Sequence, residues 1–303
     1  MFGNSSTYYK KIFEDCFKNF LNETRNALEM IISFLSVSSL FIGGHGFFKT
    51  YIAYVLLGMH PDLMVCSISF LITFSIYSLD KIADMDKDTI NMPQRMSFLR
   101  GRRNLIFYLA IASYILAIVL ALSDNPLIIP VIFIPFIANA FYATKIHRDI
   151  PRLKDIPFVK NIVVALAWAM VTTLLPALHM ANPVNATVAL VMGFMVVKTL
   201  VDNVLYDVRD IKGDRENGVR TMAVILGKRN TAIMLLAINS TLLPMALFAD
   251  ASVRPIMLLL ALYGFAYTLY FSERRNPLAL DFFVEGEWML ATAFLFFFFA
   301  LRL

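Results

Sequence analysis

The sequence predicts an all-α membrane protein, with nine transmembrane helices around a central cavity, arranged as two similar four-helix halves plus a ninth helix. Three observations carry this. The 303 residues are 59% hydrophobic and only 16% charged, and the apolar residues fall in runs longer than a soluble core needs. Of the 27 Lys and Arg, 23 fall in the N-terminal tail or in the loops after the even-numbered runs, the pattern of polybasic cytoplasmic loops. Two dense acidic clusters stand about 126 residues apart, each at the end of an even-numbered run.

Taken in order, the apolar runs cover roughly 28–57, 62–79, 104–122, 126–142, 161–178, 187–206, 231–249, 255–272 and 283–301. A helix rises 1.5 Å per residue, so each is long enough for a hydrocarbon core of about 30 Å. The first is over-long and carries Gly43, Gly44, His45, Gly46 and Lys49, so it is the run whose continuity is open. Before it, Tyr9, Ile12, Phe13, Cys16, Phe17, Phe20 and Leu21 recur at helical spacing among lysines. That spacing predicts an interfacial helix on the cytoplasmic leaflet within the tail 1–27. The basic loops place the N-terminus and both acidic clusters in the cytoplasm and the C-terminus outside, with Arg254 and Arg302 the basic residues of the outer side. Residues 1–303 read as a single polytopic domain, with no cleavable signal peptide expected. The net charge of +5 reflects orientation and an anionic ligand, not nucleic acid, for which no soluble basic domain exists. Cys16 and Cys66 are expected to form neither a disulfide nor a thiolate metal site.

The first acidic cluster reads Asp80-x3-Asp84-x3-Asp88-x2-Asn91, and the second Asn203-x3-Asp207-x2-Asp210-x3-Asp214-x2-Asn217. At 100° per residue, Asp80, Asp84 and Asp88 spread over about 80° of a helix face, and Asn203, Asp207, Asp210 and Asp214 over about 60°. Gly213 is expected to end the second helix. Carboxylates this dense at a membrane boundary repel one another unless a cation binds them. Mg²⁺ takes oxygen ligands, usually one or two carboxylates with water and substrate phosphates completing its shell. Two facing clusters therefore suit two or more Mg²⁺ ions around one pyrophosphate, and the reaction class this implies is prenyl transfer. Metal ligands expected on this basis are Asp80, Asp84, Asp88, Asp207, Asp210 and Asp214.

Basic residues complete the pattern. Tyr142-Ala-Thr-Lys145-Ile-His147-Arg148 and then Arg152 and Lys154 follow the fourth run, Arg95 follows the first cluster, and Arg209 lies within the second. Lys145, Arg95, Arg148, Lys154, Arg209 and Asn203 are the candidate diphosphate ligands. Arg148 and Arg152 suit lipid headgroups equally.

The paired Asp-rich motifs after the second and sixth of nine runs, with Tyr-x-x-Lys between them, resemble the UbiA superfamily of intramembrane prenyltransferases. The resemblance implies a cavity that binds a polyprenyl diphosphate donor through Mg²⁺, with a side opening through which lipophilic substrate and product reach membrane lipid. Position by position, the first motif falls on Asp80, Asp84 and Asp88, the second on Asp210 and Asp214 with Asp207 and Asn203 in the preceding turns, and Tyr-x-x-Lys on Tyr142 and Lys145. Asp84, Asp88, Asp210, Asp214, Lys145 and Tyr142 are thereby the expected catalytic set. Asp80 stands where the family usually has Asn, and Lys81 where many members carry Asp. The implied reaction transfers an isoprenyl group to a lipophilic, most simply aromatic, acceptor with release of pyrophosphate. Which carboxylate takes the acceptor's proton is open, and Tyr142 suits either an allylic cation or ordinary packing. A cation-coupled transporter and a diphosphate-dependent cyclase are the competing readings.

Other polar residues within the runs have plainer expectations. Lys198 and Asp202, four apart, are expected to pair inside the bundle. Glu285 and Glu287 are expected at the membrane interface. Lys49 reaches either the acceptor or an intramembrane acid, and Phe296 to Phe299 are expected to face lipid.

Overall fold

A computed structural model describes residues 34–35, 38–83, 85, 99–143, 156, 158–180, 185–273 and 277–300. Every regular element among the described residues is helical. In chain order these are α1 Leu40–Leu56, α2 Leu63–Ala83, α3 Arg103–Asp124, α4 Ile129–Ala143, α5 Val159–His179, α6 Ala186–Glu216, α7 Met222–Ser240, α8 Leu242–Phe248, α9 Arg254–Glu273, α10 Pro277–Leu280 and α11 Glu287–Ala300. A 3₁₀ turn, Pro126–Ile128, leads into α4, and a π turn, Asp281–Glu285, leads into α11.

Six segments among the described residues are long and apolar enough to cross a membrane: α2, α3, α5, α6, α9 and the combined Met222–Phe248. They meet six of the apolar runs read from sequence, and α4 and α11 are shorter apolar helices. The first run is interrupted at Ser39, whose φ of 63° is left-handed, so α1 starts only at Leu40. The seventh begins effectively after Gly227, whose positive φ of 75° is non-helical and separates Met222–Leu226 from the remainder.

Helices packed together are mostly neighbours in sequence, and α11 returns to lie against α1. α1 also packs on α5, so these two helices form the spine of the bundle. Two apolar clusters meet there. One gathers Ile52, Leu56, Phe194, Met195, Met257 and Trp288, and the other Tyr54, Ile68, Ile72, Val131, Val171 and Leu175. The outer faces carry exposed Leu109, Val119, Leu262, Phe296 and Phe297, as a lipid-facing surface requires, in line with the expectation for Phe296 and Phe297.

The approach of α1 to α2 depends on Gly46. A Cβ there would overlap the Thr73 hydroxyl and crowd the Ser69 carbonyl, to which no flexible adjustment is open. Gly46 instead leaves its own carbonyl to accept from the Ser69 hydroxyl at 3.0 Å, while Thr50 donates to Ser69 at 2.8 Å. Such small-residue contacts are how helices associate where lipid removes the hydrophobic drive.

Candidate active site

The C-terminal turns of α2 and α6 lie at one end of the bundle. Tyr77 of α2 stacks on Trp168 of α5, with ring centroids 5.4 Å apart, and Asn161 at the start of α5 donates to Asp207 of α6 at 2.8 Å. Both pairings run antiparallel to α5, so both acidic helix ends stand beside its first turns. Helix C-termini already carry partial negative charge, and adding carboxylates there increases the demand for a cation.

Directly inside these ends is a small cavity. Its walls come from α1 (Ile42, His45, Gly46, Lys49), α2 (Thr73, Tyr77), α5 (Trp168, Thr172), α6 (Thr199, Asp202, Asn203, Tyr206) and the π turn (Val284, Glu285). Thr73 and Tyr77 lie within about 60° of Asp80 on α2, and Thr199, Asn203 and Tyr206 precede Asp207 on the acidic face of α6. Each acidic face therefore continues inward as a cavity wall.

On α6 the helix passes through Gly213 and ends at Glu216, which corrects the expectation of a stop at Gly213. Gly218, with φ 70°, closes it: the Val219 N–H donates to the Asp214 carbonyl at 2.8 Å and the Gly218 N–H to the Arg215 carbonyl at 3.3 Å, a Schellman pattern. Asp207, Asp210 and Asp214 thus all sit on continuous helix. Asp207 is buried, accepting from Asn161 with the Lys160 ammonium 3.8 Å away. Asp210 is gripped by both Nε and Nη2 of Arg209 at 2.8 Å, and Arg209 Nη1 donates to buried Asp281 at 3.0 Å. Arg209, expected at the diphosphate, is thus engaged with two carboxylates and lies over the Tyr206 ring at 4.8 Å.

Asp80 lies in the last turn of α2, and Tyr142 is on α4 near its end. Asp84, Asp88, Arg95, Lys145, Arg148 and Lys154 lie outside the described residues, as does the tail 1–27. Among the described residues no three His, Cys, Asp or Glu side chains converge as a complete metal site. The chemistry of the donor set nonetheless fits Mg²⁺: Asp207, Asp210 and Asp214 offer only oxygen, on one face, and Mg²⁺ uses few protein carboxylates at once.

Below the acidic ends lies a second polar group that corrects two expectations. Glu287 is buried rather than interfacial and accepts from Lys198 at 2.6 Å. Lys198 also donates to Tyr267 Oη at 3.0 Å and to the Leu260 carbonyl at 3.2 Å, so its hydrogen-bonding partner is not Asp202. Asp202 instead accepts from Tyr267 at 2.6 Å. Glu285 is half-buried on the cavity wall. Lys49, 1% exposed, donates to Thr199 at 2.5 Å and lies 5.2 Å from the centre of the Trp288 ring. Sequence reasoning missed Asn161, Trp168, Tyr206 and Asp281. A polar side chain inside an apolar run is the signal that marks Asn161, whereas Asp281 falls between two runs and nothing distinguishes Trp168 or Tyr206 from packing residues.

An apolar all-helical bundle that buries charged side chains, with a cavity inside an acidic helix end, defines an integral multi-pass membrane protein. The chain belongs to the UbiA prenyltransferase family, whose sequence profile matches residues 30–301. Similar proteins include the digeranylgeranylglyceryl phosphate synthase of Pyrococcus abyssi, 29% identical over 184 residues, covering 58% of this chain and 62% of that protein. The 2-acylphloroglucinol 4-prenyltransferase of Humulus lupulus is 26% identical over 259 residues, covering 78% of this chain and 59% of that protein. The chain therefore spans about three fifths of the length of these curated relatives, 62% and 59% respectively. The fold is that of a UbiA homolog from Archaeoglobus fulgidus, solved bound to GPP and Mg²⁺, with a TM-score of 0.61 at 14% identity, covering 86% of this chain and 97% of that one.

Proposed function

We propose that this protein is a Mg²⁺-dependent intramembrane prenyltransferase, moving an isoprenyl group from a polyprenyl diphosphate to a lipophilic acceptor and releasing pyrophosphate. The observation that carries this is the cavity placed directly inside the ends of the two Asp-bearing helices. Family membership and the names of the relatives support it. The archaeal and plant relatives are named for different products, so their names leave the acceptor to be decided by the cavity itself. Nine transmembrane helices in two related halves, N-terminus and mouth cytoplasmic and C-terminus outside, complete the reading.

Asp80, Asp84 and Asp88 on one side and Asp207, Asp210 and Asp214 on the other would hold magnesium. Bound there, two or more Mg²⁺ ions supply neutralisation of the charge that gathers on the departing diphosphate. Lys145, Arg95, Arg148 and Lys154 donate to diphosphate oxygens, Asn203 adds an amide, and Arg209 turns from Asp210 toward the same oxygens. Asp80 sets the inner edge of the first cluster. As the allylic carbon–oxygen bond breaks, its electron pair leaves on the diphosphate. The aromatic walls Tyr77 and Trp168 shield the resulting cation from water and face it with ring electrons, and Tyr142 is the further aromatic residue proposed for this role.

Purified protein in detergent, given geranylgeranyl diphosphate, an acceptor panel, and Mg²⁺ or EDTA, tests the proposal by product formation and pyrophosphate release. Transfer is expected with Mg²⁺ alone, and Asp84→Asn and Asp214→Asn each reduce it at least 100-fold, the scale of losing a transition-state charge stabiliser. Intact diphosphate under every condition contradicts it.

A further inference from the structure

A buried hydrogen-bond chain that reaches the cavity wall at Asp202 has a direction fixed by chemistry. An ammonium donates and cannot accept, so Lys198, donating to Glu287, Leu260 and Tyr267, has no donor left for Asp202. Tyr267, receiving from Lys198, turns its own proton to Asp202 Oδ1 at 2.6 Å. The other oxygen, Oδ2, is buried and has no hydrogen-bond partner among the described residues, although Asp202 is only 4% exposed and lines the cavity. Buried carboxylate oxygens are rarely left bare, because their hydration is lost without replacement.

Lys49 stands on the same cavity. Thr199 accepts from it while giving its own proton to the Met195 carbonyl at 2.7 Å. That is the one hydrogen bond Lys49 makes among the described residues, and the ammonium lies within electrostatic range of Asp202. An unpartnered acceptor and an under-used donor thus share one wall-to-wall space, with the flat Tyr77–Trp168 stack beside them. The pattern matches a ligand group that both donates and accepts, which is a hydroxyl.

Charge narrows the class further. The two buried ammoniums, Lys49 on the cavity wall and Lys198 behind it, are balanced by Asp202 and Glu287, and Glu285 adds a third acid on the wall. No surplus positive charge remains to offset a carboxylate or phosphate brought into this buried space. We propose that Asp202 is the proton acceptor of the transfer step, and that the cavity takes the acceptor through an uncharged phenolic or enolic hydroxyl, to whose oxygen Lys49 donates. In that step the acceptor's oxygen or ring carbon forms the bond to the allylic carbon. The carbon–oxygen bond to diphosphate breaks with its electron pair on the diphosphate, and the acceptor's proton passes to Asp202 Oδ2. This rests on the prenyltransferase reading above and names its substrate class and its base.

The test compares wild type, Asp202→Asn, Asp202→Glu and Lys49→Gln in detergent with Mg²⁺. Binding of radiolabelled geranylgeranyl diphosphate is measured without acceptor, and transfer is measured to phenols and naphthols graded in hydroxyl acidity, with matched aromatic carboxylates alongside. Asp202→Asn is expected to bind donor within about threefold of wild type while losing roughly 10²- to 10⁴-fold in transfer to the least acidic phenol, the span of a general base. The loss shrinks as hydroxyl acidity rises, which a merely structural role does not produce. Asp202→Glu recovers part of the rate, Lys49→Gln raises the acceptor KM, and wild type passes over the carboxylates. Transfer by Asp202→Asn within threefold of wild type, a loss uniform across the phenol series, donor binding lost in that variant, or a preference for carboxylates each overturns the proposal. Wild type that binds donor with Mg²⁺ but fails only these comparisons leaves the prenyltransferase reading standing, whereas wild type that binds no donor overturns both.

Discussion

Lys198 has three acceptors within 3.2 Å and no exposure, so its charge is tolerable only while Glu287 remains opposite it. Removing one member of a buried pair strands the other, at a cost of about 3–5 kcal/mol, whereas replacing both with apolar groups is often neutral. Lys198→Met and Glu287→Gln are each expected to lower the unfolding temperature in detergent markedly, and Lys198→Met with Glu287→Leu to recover most of it. Equal losses in single and double variants contradict this. From sequence, Lys198 suggests a partner four residues on, because helical spacing is all that one helix shows. The actual partner is 89 residues away on α11 and becomes visible only when that helix closes on the bundle. Asp207, Asp210 and Asp214 were legible as one acidic face by angular spacing alone. The partners of Asp207, Asn161 and Lys160, were not, since both come from the start of α5, and neither was Asp281, which Arg209 reaches from a distant segment.

For single elements, helix ends were the harder problem. Gly213 carries the usual helix-stop signal, yet the chain uses Gly218, which of the two is the one in the left-handed conformation. Glycine takes that conformation freely, while a residue with Cβ is strained there by about 1–2 kcal/mol. Gly218→Ala is expected to destabilise by about 1 kcal/mol and Gly218→Asn by less, read by thermal unfolding, with no difference between them contradicting the cap. The glycines of the first apolar run were visible, but their use was not. Gly46→Val is expected to force α1 from α2, at about 1–3 kcal/mol for overpacking, and Thr73→Ala in the same chain to relieve part of that. Unchanged stability in Gly46→Val contradicts the close packing at Ser69 and Thr73.

For the whole molecule, hydropathy located the long apolar helices well, because lipid demands them of any chain segment that crosses. It could not locate the return of α11 to α1, which depends on side chains meeting across the full sequence. Nor did it separate the acidic mouth from the buried ion pair, since both appear in sequence as charged residues near apolar runs. The proposed orientation has a direct check. With Cys16 and Cys66 replaced by serine, Ser252→Cys is expected to react with a membrane-impermeant maleimide in intact cells, and Arg220→Cys only after permeabilisation. Both positions are exposed, so the reverse order contradicts the orientation.

The proposed function requires that a diphosphate and Mg²⁺ meet at the mouth of this cavity. The chain has two tryptophans, and Trp168 lines the cavity, so Trp288→Phe leaves a single tryptophan, on its wall, to be excited selectively. Titrating that variant with geranylgeranyl diphosphate is expected to give a saturable fluorescence change with Mg²⁺, abolished by EDTA and by adding Asp210→Asn or Asp214→Asn. A titration that is flat, or identical with EDTA in place of Mg²⁺, contradicts the account.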